Sequence, residues 1–411
     1  SSVLLLSYFA YTQDEVRLQF AGRYVAGSHE EANRAFMQAI DAYKDVRPEV
    51  EIEYVGEGDH TEYLEKLLVM GAAVGFPDIM HLYNPWIPDF MFKGMRFDSV
   101  PMQIEQKLRK GAFPAALDLT TYEEQLIGIP SENQIGALLW NKQIFAEAGI
   151  ADLPDTWQEL EQMARWLTKI EPDGAVQQMG FVVENWDWAV QFLAMLHSEG
   201  GGYLDQTGRV AFADSTGLRT LQRLVEWRND LGLFSTDTGL FPQKRAALAL
   251  VFPWAKFGLA AAFGQDITAG IGVGSVPSGA ACRAAYHYGW GMYVPTSSKA
   301  LDEAWRFLDF LTFDYQDRDI TYLGQALAAI GSLPTLRRDI QSSHYRTDFE
   351  FYNAFIGNLN YAMTEPQLPD SQRRMTILTG ELNAALERRK SPVQALNDAQ
   401  IQIEAVVDQY R

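Results

Sequence analysis

The sequence feature that most constrains the fold is an alternation of strand-like and helix-like segments that begins near residue 16. Val16, Leu18 and Phe20 alternate on one face of a strand, and apolar residues from Phe36 to Tyr43 recur at helical spacing. The strand-like VEIEYV and PDIMHLY follow, with a second helical pattern between them. Such alternation predicts βαβ units, an α/β fold and a largely parallel sheet.

Two S/T-x-x-E sequences mark expected helix starts. They run from Ser28 to Glu31 and from Thr156 to Glu159. In a capping box the hydroxyl group accepts a backbone N–H of the first turn and the glutamate accepts the N–H of the cap residue. We therefore expect helices capped by Ser28 and by Thr156.

Length and the absence of linkers bear on domain organisation. The chain has 411 residues, which suggests about two domains. It contains no internal repeat, low-complexity tract or Pro/Ser-rich linker. Two domains without a linker indicate that the chain passes between them several times.

Charge and hydropathy exclude several function classes. The net charge of −19 argues against a nucleic-acid partner, because binding to phosphates requires a basic face. No stretch reaches the roughly 18–20 apolar residues that span a bilayer.

The opening SSVLLLSYFAYTQDE is either the tail of a secretory hydrophobic region or a terminal strand packed on the body. The lone Cys282 cannot form an intramolecular disulfide, and we expect a buried, unreactive thiol.

Motifs for common cofactors and nucleophiles are missing. The sequence has no P-loop, no dinucleotide-binding glycine spacing and no G-x-S-x-G elbow. The six histidines form no H-x-H or H-E-x-x-H pair, so we expect neither a metal nor a cofactor. A pair of catalytic carboxylates stays open, because such residues are distant in sequence.

Aromatic residues stand beside polar ones at strand ends and in loops. Such pairs occur at Arg23-Tyr24, Tyr83-Asn84-Pro85-Trp86, Glu184 to Trp188, Phe252-Pro253-Trp254 and Tyr288 to Gly291. Sugars bind to this mixture, since hydroxyl groups pair with amides, carboxylates and guanidinium groups, and the C–H face of a pyranose packs on a ring. Trp157, Trp227 and Trp305 lie at helical positions and are expected to be packing residues.

A polar run from residue 131 to 134, SENQ, interrupts two apolar strand-like pieces. It could be a surface loop, the acids of an enzyme, or the lining of a cleft between two domains. The residues alone leave the three alternatives open.

Six segments in order resemble one family over nearly the whole chain, from Val16 to Tyr410. They are FPDIMHLY, GIPSENQIGALLWNKQIFAEAGI with LPDTWQEL, EGGGYLDQTGRVAFADSTGLRTLQRLVEWRNDLG, ALALVFPWA, GVGSVP with YHYGWGMYVPTSSKALDEAWRFLDFL, and GSLPTLRRDI. The sequence resembles the extracellular solute-binding proteins of family 1, the maltose-binding-protein-like receptors of bacterial ABC importers.

The resemblance implies a fold and the residue limits of its two lobes. It implies a two-lobed α/β fold of the periplasmic-binding-protein type II, with mixed sheets flanked by helices and a ligand cleft at the hinge. The expected N-terminal lobe is 1–132 plus 292–335, and the expected C-terminal lobe is 138–288 plus 339–411. The expected hinge crossings lie near 132–138, 288–293 and 334–339. Closure of the lobes on ligand is the motion known for such receptors.

The resemblance also implies a set of ligand-binding residues. Trp254 matches a tryptophan that commonly stacks on a sugar ring, and the polar run at 131–134 becomes the first crossing, facing the ligand. The register of the C-terminal arginine is open between Arg373 and Arg374. The full set is Arg23, Tyr24, Tyr83, Asn84, Trp86, Glu132, Gln134, Glu184, Trp186, Trp188, Trp254, Gly289, Trp290 and Arg373.

The implied function is that of a non-catalytic receptor of an ABC transporter. It would capture a sugar or oligosaccharide and deliver it to membrane permease subunits, as a monomer without cofactor or nucleic acid. Its implied place is extracytoplasmic, with a lipid anchor before processing left open. The alternatives are a receptor for a glycerol phosphodiester or a polyol and, from another class, a glycoside hydrolase or lyase. VFPWA lacks the small polar residues that often precede this tryptophan, so a maltodextrin specificity is not supported.

Overall fold

The computed structural model describes residues 16–73, 75–183 and 188–411. Its strands are Val16–Gly22 (β1), Val50–Gly56 (β2), Ile79–Tyr83 (β3), Thr121–Tyr122 (β4), Gln125–Leu126 (β5), Gly128–Ile135 (β6), Ala137–Asn141 (β7), Lys169–Ile170 (β8), Val176–Val183 (β9), Phe234–Ser235 (β10), Ala246–Val251 (β11), Ile271–Gly274 (β12), Ala285–Tyr293 (β13) and Ala362–Met363 (β14).

The α-helices lie between and after these strands. They are Glu30–Val46 (α1), His60–Ala73 (α2), Ile87–Phe92 (α3), Met102–Gly111 (α4), Pro114–Asp118 (α5), Lys142–Ala148 (α6), Trp157–Leu167 (α7), Trp188–Ser198 (α8), Ser215–Asn229 (α9), Lys256–Phe263 (α10), Ile267–Gly270 (α11), Leu301–Phe313 (α12), Tyr322–Ala329 (α13), Ser343–Arg346 (α14), Phe349–Asn358 (α15), Ser371–Leu386 (α16) and Pro392–Val407 (α17). Short 3₁₀ turns lie at Asn84–Trp86, Thr238–Leu240, Pro253–Ala255, Asp339–Gln341, Leu359–Tyr361 and Asp408–Tyr410.

The first sheet is buried on both faces. β1 pairs in parallel with β2 and β3, whereas β13 runs antiparallel to β3 and to β6, and its start pairs with β14. Phe20 and Ile79 pack into a core with α1 and α12, and the adjacent Ala21 and Met80 pack into a second core with α2 and α3. Since successive residues of a strand face opposite sides, helices cover both faces of this sheet. We call this sheet and its helices the first lobe.

The second sheet has its own core. Its strand order is β10, β9, β11, β7 and β12, with β8 beside β9. Apolar residues of α7, α8, α9, α16 and α17 pack against it in one continuous cluster. We call this sheet and its helices the second lobe.

The chain passes between the lobes at several points of the described sequence. β6 belongs to the first sheet and β7 to the second, so the chain changes lobe at Gly136. It returns between β12 and β13. A further crossing follows α13, which packs on α1, and precedes α15, which packs on β12. The predicted domain limits stay a prediction. Residues 285–287 and β14, which these limits place in the C-terminal lobe, pair within the first sheet.

The expectation of a largely parallel sheet is right only for part of each sheet. β2, β1 and β3 are parallel, and so are β10, β9 and β11. The strands next to the crossings run the other way, since β13 is antiparallel to β3 and β6, and β7 is antiparallel to β11 and β12. A strand that enters from the other lobe is not bound by the βαβ connection that makes neighbours parallel.

One of the two predicted helix caps is confirmed and the other is wrong. The Thr156 side chain accepts the backbone N–H of Glu159 at 3.1 Å and caps α7. In the motif from Ser28 to Glu31, α1 begins at Glu30 and not after Ser28. The cap position is therefore His29, whose side chain makes no cap hydrogen bond. The Glu30 carboxylate instead accepts the N–H of Gly27, so the chain turns into the helix one residue later than the motif suggests.

The expectations for tryptophan packing and for the thiol have different outcomes. Trp157, Trp227 and Trp305 are buried, which confirms them as packing residues. The prediction of a buried Cys282 is wrong, because this residue is exposed in the irregular segment between β12 and β13. The opening residues 1–15, for which two alternatives were predicted, lie outside the described residues. No helix in the described part of the chain is long and apolar enough to cross a membrane.

The cap at α7 supplies a test of the local structure. Thr156→Ala removes the side-chain acceptor, so the free energy of unfolding should fall by about 1 kcal/mol. Ser28→Ala is the matched control, since the same motif there forms no cap, and its change should stay within about 0.5 kcal/mol. Urea unfolding monitored by circular dichroism measures both. Equal losses in the two variants would contradict the assignment.

Candidate functional site

A cleft of about 1240 Å³ lies between the two lobes. The first lobe contributes the ends of β1 and β3, the start of α1 and strand β6. The second lobe contributes α16 and the turn at Trp254. β13 contributes Tyr286, Tyr288 and Trp290, which are spaced two residues apart and therefore share one face of the strand.

The floor of the cleft is one face of β6, β13 and β3. Trp290 of β13 lies opposite Glu132 of β6 and opposite Tyr83 of β3 in the strand register. Tyr288 lies opposite Gln134 in the same way. Directly opposed residues project to the same side, so these five side chains form one surface of polar and aromatic groups.

Alternation along β6 turns the other polar side chains of the run 131–134 away from this surface. Ser131 is the additional residue of a bulge in the pairing of β6 with β13. Its hydroxyl group forms a hydrogen bond of 2.7 Å with His81 Nε2. Asn133 Oδ1 forms one of 2.6 Å with His287 Nε2. Glu132 and Gln134 of this run therefore line the cleft, and Ser131 and Asn133 form hydrogen bonds in the interior.

The carboxylate of Glu132 is almost fully buried, with 3% of its surface exposed. Tyr24 donates its hydroxyl group to Glu132 Oε1 at 2.7 Å, and Arg23 Nη1 lies 3.1 Å from the same oxygen. Burial, reinforced by the Glu132 carboxylate, raises the pKa of Tyr24, so this hydroxyl group stays a donor. The Arg23 guanidinium carbon also lies 4.4 Å from the centre of the Trp290 ring.

Two histidines line the first-lobe wall in their neutral form. The His60 ring centre lies 4.4 Å from that of Trp86 and 5.3 Å from that of Trp290. Burial and the positive charge of Arg23 lower the pKa of His60 and of His29 to about 4. At neutral pH these rings add apolar and hydrogen-bonding surface without adding charge.

Glu365 brings a buried carboxylate to the opposite wall. Tyr286 donates its hydroxyl group to Glu365 Oε1 at 3.1 Å, and Arg374 Nη1 lies 3.4 Å from Oε2. Arg374 is 1% exposed and also donates to the carbonyls of Leu368 and Pro369, both at 2.9 Å. Burial raises the pKa of Glu365, although Arg374 opposes the shift.

Helix α16 presents polar side chains along the cleft. The lining residues on it include Ser371, Gln372, Thr376, Thr379 and Asn383. Asn383 Oδ1 accepts the indole N–H of Trp188 at 3.0 Å. Near this helix Trp254 donates its indole N–H to the Tyr288 hydroxyl group at 3.0 Å, which orients the ring at the edge of the floor.

The carboxylates that line the cleft are matched by arginines. The ion pairs join Arg23 to Glu132 at 3.1 Å, Arg374 to Glu365 at 3.4 Å, and Arg34 to Glu31 at 2.9 Å and to Glu30 at 4.0 Å. The described lining residues thus leave little net charge for a ligand to neutralise. They also form no cluster of metal-ligating groups.

Two buried polar atoms of the cleft lining have no hydrogen-bond partner among the described residues. Gln134 is 2% exposed, and its Oε1 has no hydrogen-bond partner among the described residues. His29 Nδ1 has none in the same part of the chain. An acceptor that is buried and unpaired costs about 1–3 kcal/mol, which a donor on a bound molecule can offset.

The structure places seven of the predicted ligand-binding residues on the cleft surface. They are Arg23, Tyr83, Trp86, Glu132, Gln134, Trp254 and Trp290. Trp188 is 1% exposed and lies behind Asn383, and Tyr24 lies behind Glu132. Glu184 and Trp186 lie outside the described residues.

Asn84, Gly289 and Arg373 have other surroundings. Asn84 Oδ1 accepts the backbone N–H of Gly289 at 3.0 Å. A Cβ atom on Gly289 would lie 2.1 Å from the backbone oxygen of Glu132, so β13 and β6 approach here as closely as glycine allows. Arg373 is largely exposed, and its nearest acid is Asp370 at 3.9 Å. Its neighbour Arg374 is the buried arginine.

Sequence reasoning did not find several lining residues. Tyr286 shares the two-residue spacing of Tyr288 and Trp290, a signal that could have identified it. His60 begins a helix and Glu365 lies in a loop, and neither has a pattern of its own. Only the fold brings them beside the strands of the floor.

The two lobes touch at the rim of the cleft. The backbone N–H of Asp370, at the start of α16, donates to Asp89 Oδ1 of α3. Gln367 Nε2 donates to the carbonyl of Thr121 at 2.6 Å. In the described arrangement the segment between β14 and α16 is therefore in contact with the first lobe.

A family of known proteins matches this chain. Residues 26–315 match the family model described as "Bacterial extracellular solute-binding protein". A curated relative from Sinorhizobium fredii, named a probable amino-acid ABC transporter periplasmic-binding protein, is 24% identical over 380 residues. That alignment covers 87% of this chain and 82% of the relative.

Solved structures with the same fold include sugar-binding proteins. The sugar-binding protein MalE from Xanthomonas citri matches with a TM-score of 0.80 and 18% identity, covering 96% of this chain and 97% of the other. The cyclic alpha-maltosyl-1,6-maltose binding protein from Arthrobacter globiformis matches with a TM-score of 0.77 and 21% identity, covering 96% and 99%. These similarities show the two-lobed α/β fold with mixed sheets.

The close approach at Gly289 generates a test of the floor. Gly289→Ala should lower the free energy of unfolding by about 1–3 kcal/mol, because the new methyl group meets a backbone oxygen. Gly357→Ala is the control, since it lies in α15 with open space around its Cβ position and should be neutral or stabilising. Urea unfolding measures both. An unchanged Gly289→Ala protein would contradict the described pairing of β6 with β13.

Proposed function

The chain belongs to the bacterial extracellular solute-binding protein family, and from this premise we propose that it captures a neutral sugar or oligosaccharide for an ABC importer. The observation that carries the proposal is the floor of the cleft, where Glu132 and Gln134 lie beside Trp290, Tyr288 and Tyr83. Such a surface offers hydrogen-bonding groups for hydroxyls and rings for the C–H face of a pyranose.

The unpaired acceptor at Gln134 supports a ligand with hydroxyl groups. Its Oε1 is buried and lacks a partner among the described residues, so binding of a hydroxyl donor would satisfy it. The polar face of α16 supplies further donors and acceptors on the opposite wall. A ligand held between the walls would thereby exchange its hydration for hydrogen bonds from both lobes.

The charges of the cleft favour a neutral ligand over a phosphodiester. Arg23 is the single cationic side chain among the described lining residues, and it already pairs with Glu132. His29 and His60 are neutral at pH 7 because their pKa values are lowered to about 4. A phosphate would therefore meet carboxylates without a free cation. A polyol, which is neutral, stays the alternative in the same site.

A non-catalytic role is part of the proposal. Glu132 accepts hydrogen bonds from Tyr24 and Arg23, and the carboxylate of Glu365 is held by Tyr286 and Arg374. Both acids are thus committed to neighbouring donors, which supports structural and binding roles over proton transfer to a glycosidic oxygen. The curated relative is likewise named a binding protein.

The two-lobed fold supports a mechanism of capture by closure of the lobes. We propose that the lobes, with limits near 1–132 plus 292–335 and 138–288 plus 339–411, rotate about the crossings and enclose the ligand. The closed monomer would then present both lobes to the permease subunits outside the cytoplasmic membrane. The contacts at the rim, such as Asp370 with Asp89, are compatible with a closed form.

Ligand stacking on Trp254 is the first test. Isothermal titration calorimetry over mono- and oligosaccharides should find a tight ligand, and Trp254→Ala should weaken its binding by about tenfold or more, since each 1.4 kcal/mol is a factor of ten. The control is Trp166→Ala, because Trp166 is 65% exposed on α7 and lies outside the cleft. Its affinity should equal that of the unaltered protein.

The same titration distinguishes the alternatives. The panel includes glycerol phosphodiesters, polyols and amino acids, and any bound oligosaccharide is recovered and analysed by chromatography. Recovery of intact sugar supports a receptor. A cleaved product that disappears in Glu132→Gln or Glu365→Gln would make the protein a hydrolase, and a panel without any sugar ligand would refute the proposal.

The unpaired Oε1 of Gln134 supplies a second test, because its removal should affect the affinity for sugar and the free energy of unfolding in opposite directions. Gln134→Met keeps the side-chain length but removes the buried acceptor. We expect about tenfold weaker sugar binding, from one lost hydrogen bond, together with an equal or higher free energy of unfolding for the empty protein. Calorimetry and urea unfolding measure the two effects.

A matched control for that variant is Gln191→Met. Gln191 is also buried with an unpaired amide atom, but it does not line the cleft. Its affinity for sugar should stay unchanged. Equal losses of affinity in both variants would show that Gln134 acts through packing and not through contact with the ligand.

A further inference from the structure

Three segments that connect the lobes meet at one buried residue, Asn133, whose side chain is fully enclosed. Asn133 belongs to β6, the strand that leads into the first crossing. His287 lies on β13, which follows the second crossing, and Ser332 and Leu333 lie on the third. We refer to Asn133, His287, Ser332 and Leu333 as the crossing hub.

Hydrogen bonds join the hub on each side of Asn133. The Oδ1 atom accepts a hydrogen bond, so His287 donates through Nε2 at 2.6 Å. The backbone N–H of Asn133 donates to Ser332 Oγ at 3.4 Å, and Asn133 also forms an antiparallel bridge with Leu333. One residue therefore joins these three connecting segments.

The hub lies in the protein interior. His287 is 1% exposed, and burial lowers its pKa to about 3, so the ring is neutral. The acceptor Oδ1 of Asn133 then selects the tautomer that carries its proton on Nε2. Tyr345 of α14 donates its hydroxyl group to the carbonyl of Ser332 at 2.9 Å, which extends the hydrogen bonds into the second lobe. Hydrogen bonds in such surroundings are costly to break, because water cannot replace them.

The hub is linked directly to the floor of the cleft. Asn133 lies between Glu132 and Gln134 on the same strand, and its side chain points to the opposite face. A rotation of β6 about its axis would move the floor groups and the hub group together. If a change in lobe orientation displaces His287 or Ser332, it also displaces Asn133 through their hydrogen bonds. The neighbours Glu132 and Gln134, which face the cleft, then move with β6.

We propose that Asn133 is a positioning residue that couples the relative orientation of the lobes to the placement of Glu132 and Gln134. This inference rests on the proposed function, both for the ligand and for the rotation of the lobes, but its distance measurement needs no ligand. The hub hydrogen bonds are present in the arrangement in which the rim of the cleft is also in contact. If these bonds depend on the lobe orientation, as the proposal holds, we expect loss of the Asn133 side chain to shift the population of lobe orientations away from this arrangement.

Population shifts have a recognisable effect on affinity. When the binding-competent form becomes less populated, the apparent affinity for every ligand falls by the same factor. A residue that touches ligand changes affinities selectively instead. Asn133→Ala should therefore weaken all ligands of the titration panel by one common factor, about tenfold for one lost hydrogen bond, whereas Gln134→Met should change their ranking.

The distance between the lobes gives a readout that needs no ligand. Spin labels at Val69→Cys of α2 and Ile401→Cys of α17, both 67% exposed and outside the cleft lining, report lobe orientation in a Cys282→Ser background. Double electron–electron resonance on the empty protein should show a shifted or broader distance distribution after Asn133→Ala. If no sugar binds, the proposed function fails, but this measurement still decides the role of Asn133.

Two substitutions at His287 separate positioning from mere stability. His287→Gln retains an N–H donor toward Asn133 and should keep the distance distribution and the affinities near those of the unaltered protein. His287→Leu removes the donor and should reproduce the effect of Asn133→Ala. The inference is overturned if Asn133→Ala and His287→Leu leave the distribution unchanged, or if their affinity losses differ from one ligand to the next.

Discussion

The pairing of β6 with β13 is the constraint on which the rest of the molecule depends. Both strands lie next to a crossing between the lobes. Their pairing extends from Gly128 opposite Tyr293 to Ile135 opposite His287. Because residues alternate between two faces, one ladder carries the ligand-facing groups and the groups that hold the crossings. The bulge at Ser131 and the glycine at 289 allow the two strands to approach closely at this point.

Buried charges in the cleft are balanced within the protein itself. Glu132 on the floor of the cleft and Glu365 beside Tyr286 each combine an arginine with a tyrosine hydroxyl group. A buried carboxylate without such partners would protonate or destabilise the fold. Since the protein neutralises its own acids, the remaining surface consists of aromatic rings, amides and hydroxyl groups, which suits a neutral and hydroxylated solute.

The sequence predicted the elements far better than their mutual placement. The strand at Val16, the helix from Phe36 to Tyr43 and the cap at Thr156 follow from local periodicity, and all three are present. The polar run at 131–134 was visible in the sequence but left three alternatives open, and the resemblance to the family pointed to Glu132 and Gln134, both of which line the cleft. Local signals suffice where the side chain and its reason are close in sequence.

Other parts of the site had no local signal. The buried arginine is Arg374 and not the exposed Arg373, and a one-residue difference on a helix turns a side chain by about 100°. His60 and Glu365 come from distant segments and meet the cleft only through the packing of α2 and of the loop before α16. Cys282 shows the same limit, because exposure in an irregular segment depends on what packs around it.

By itself the sequence determined the α/β class, the family and the polar strand that separates two apolar pieces, because hydrophobic periodicity and ordered motifs are properties of the chain. Only the tertiary structure decided which polar groups meet. The pairing of Glu132 with Tyr24 and Arg23, and of Asn133 with His287 and Ser332, joins residues that are far apart in sequence. Such contacts arise from the register of the strands and the crossings of the chain, which no single segment encodes.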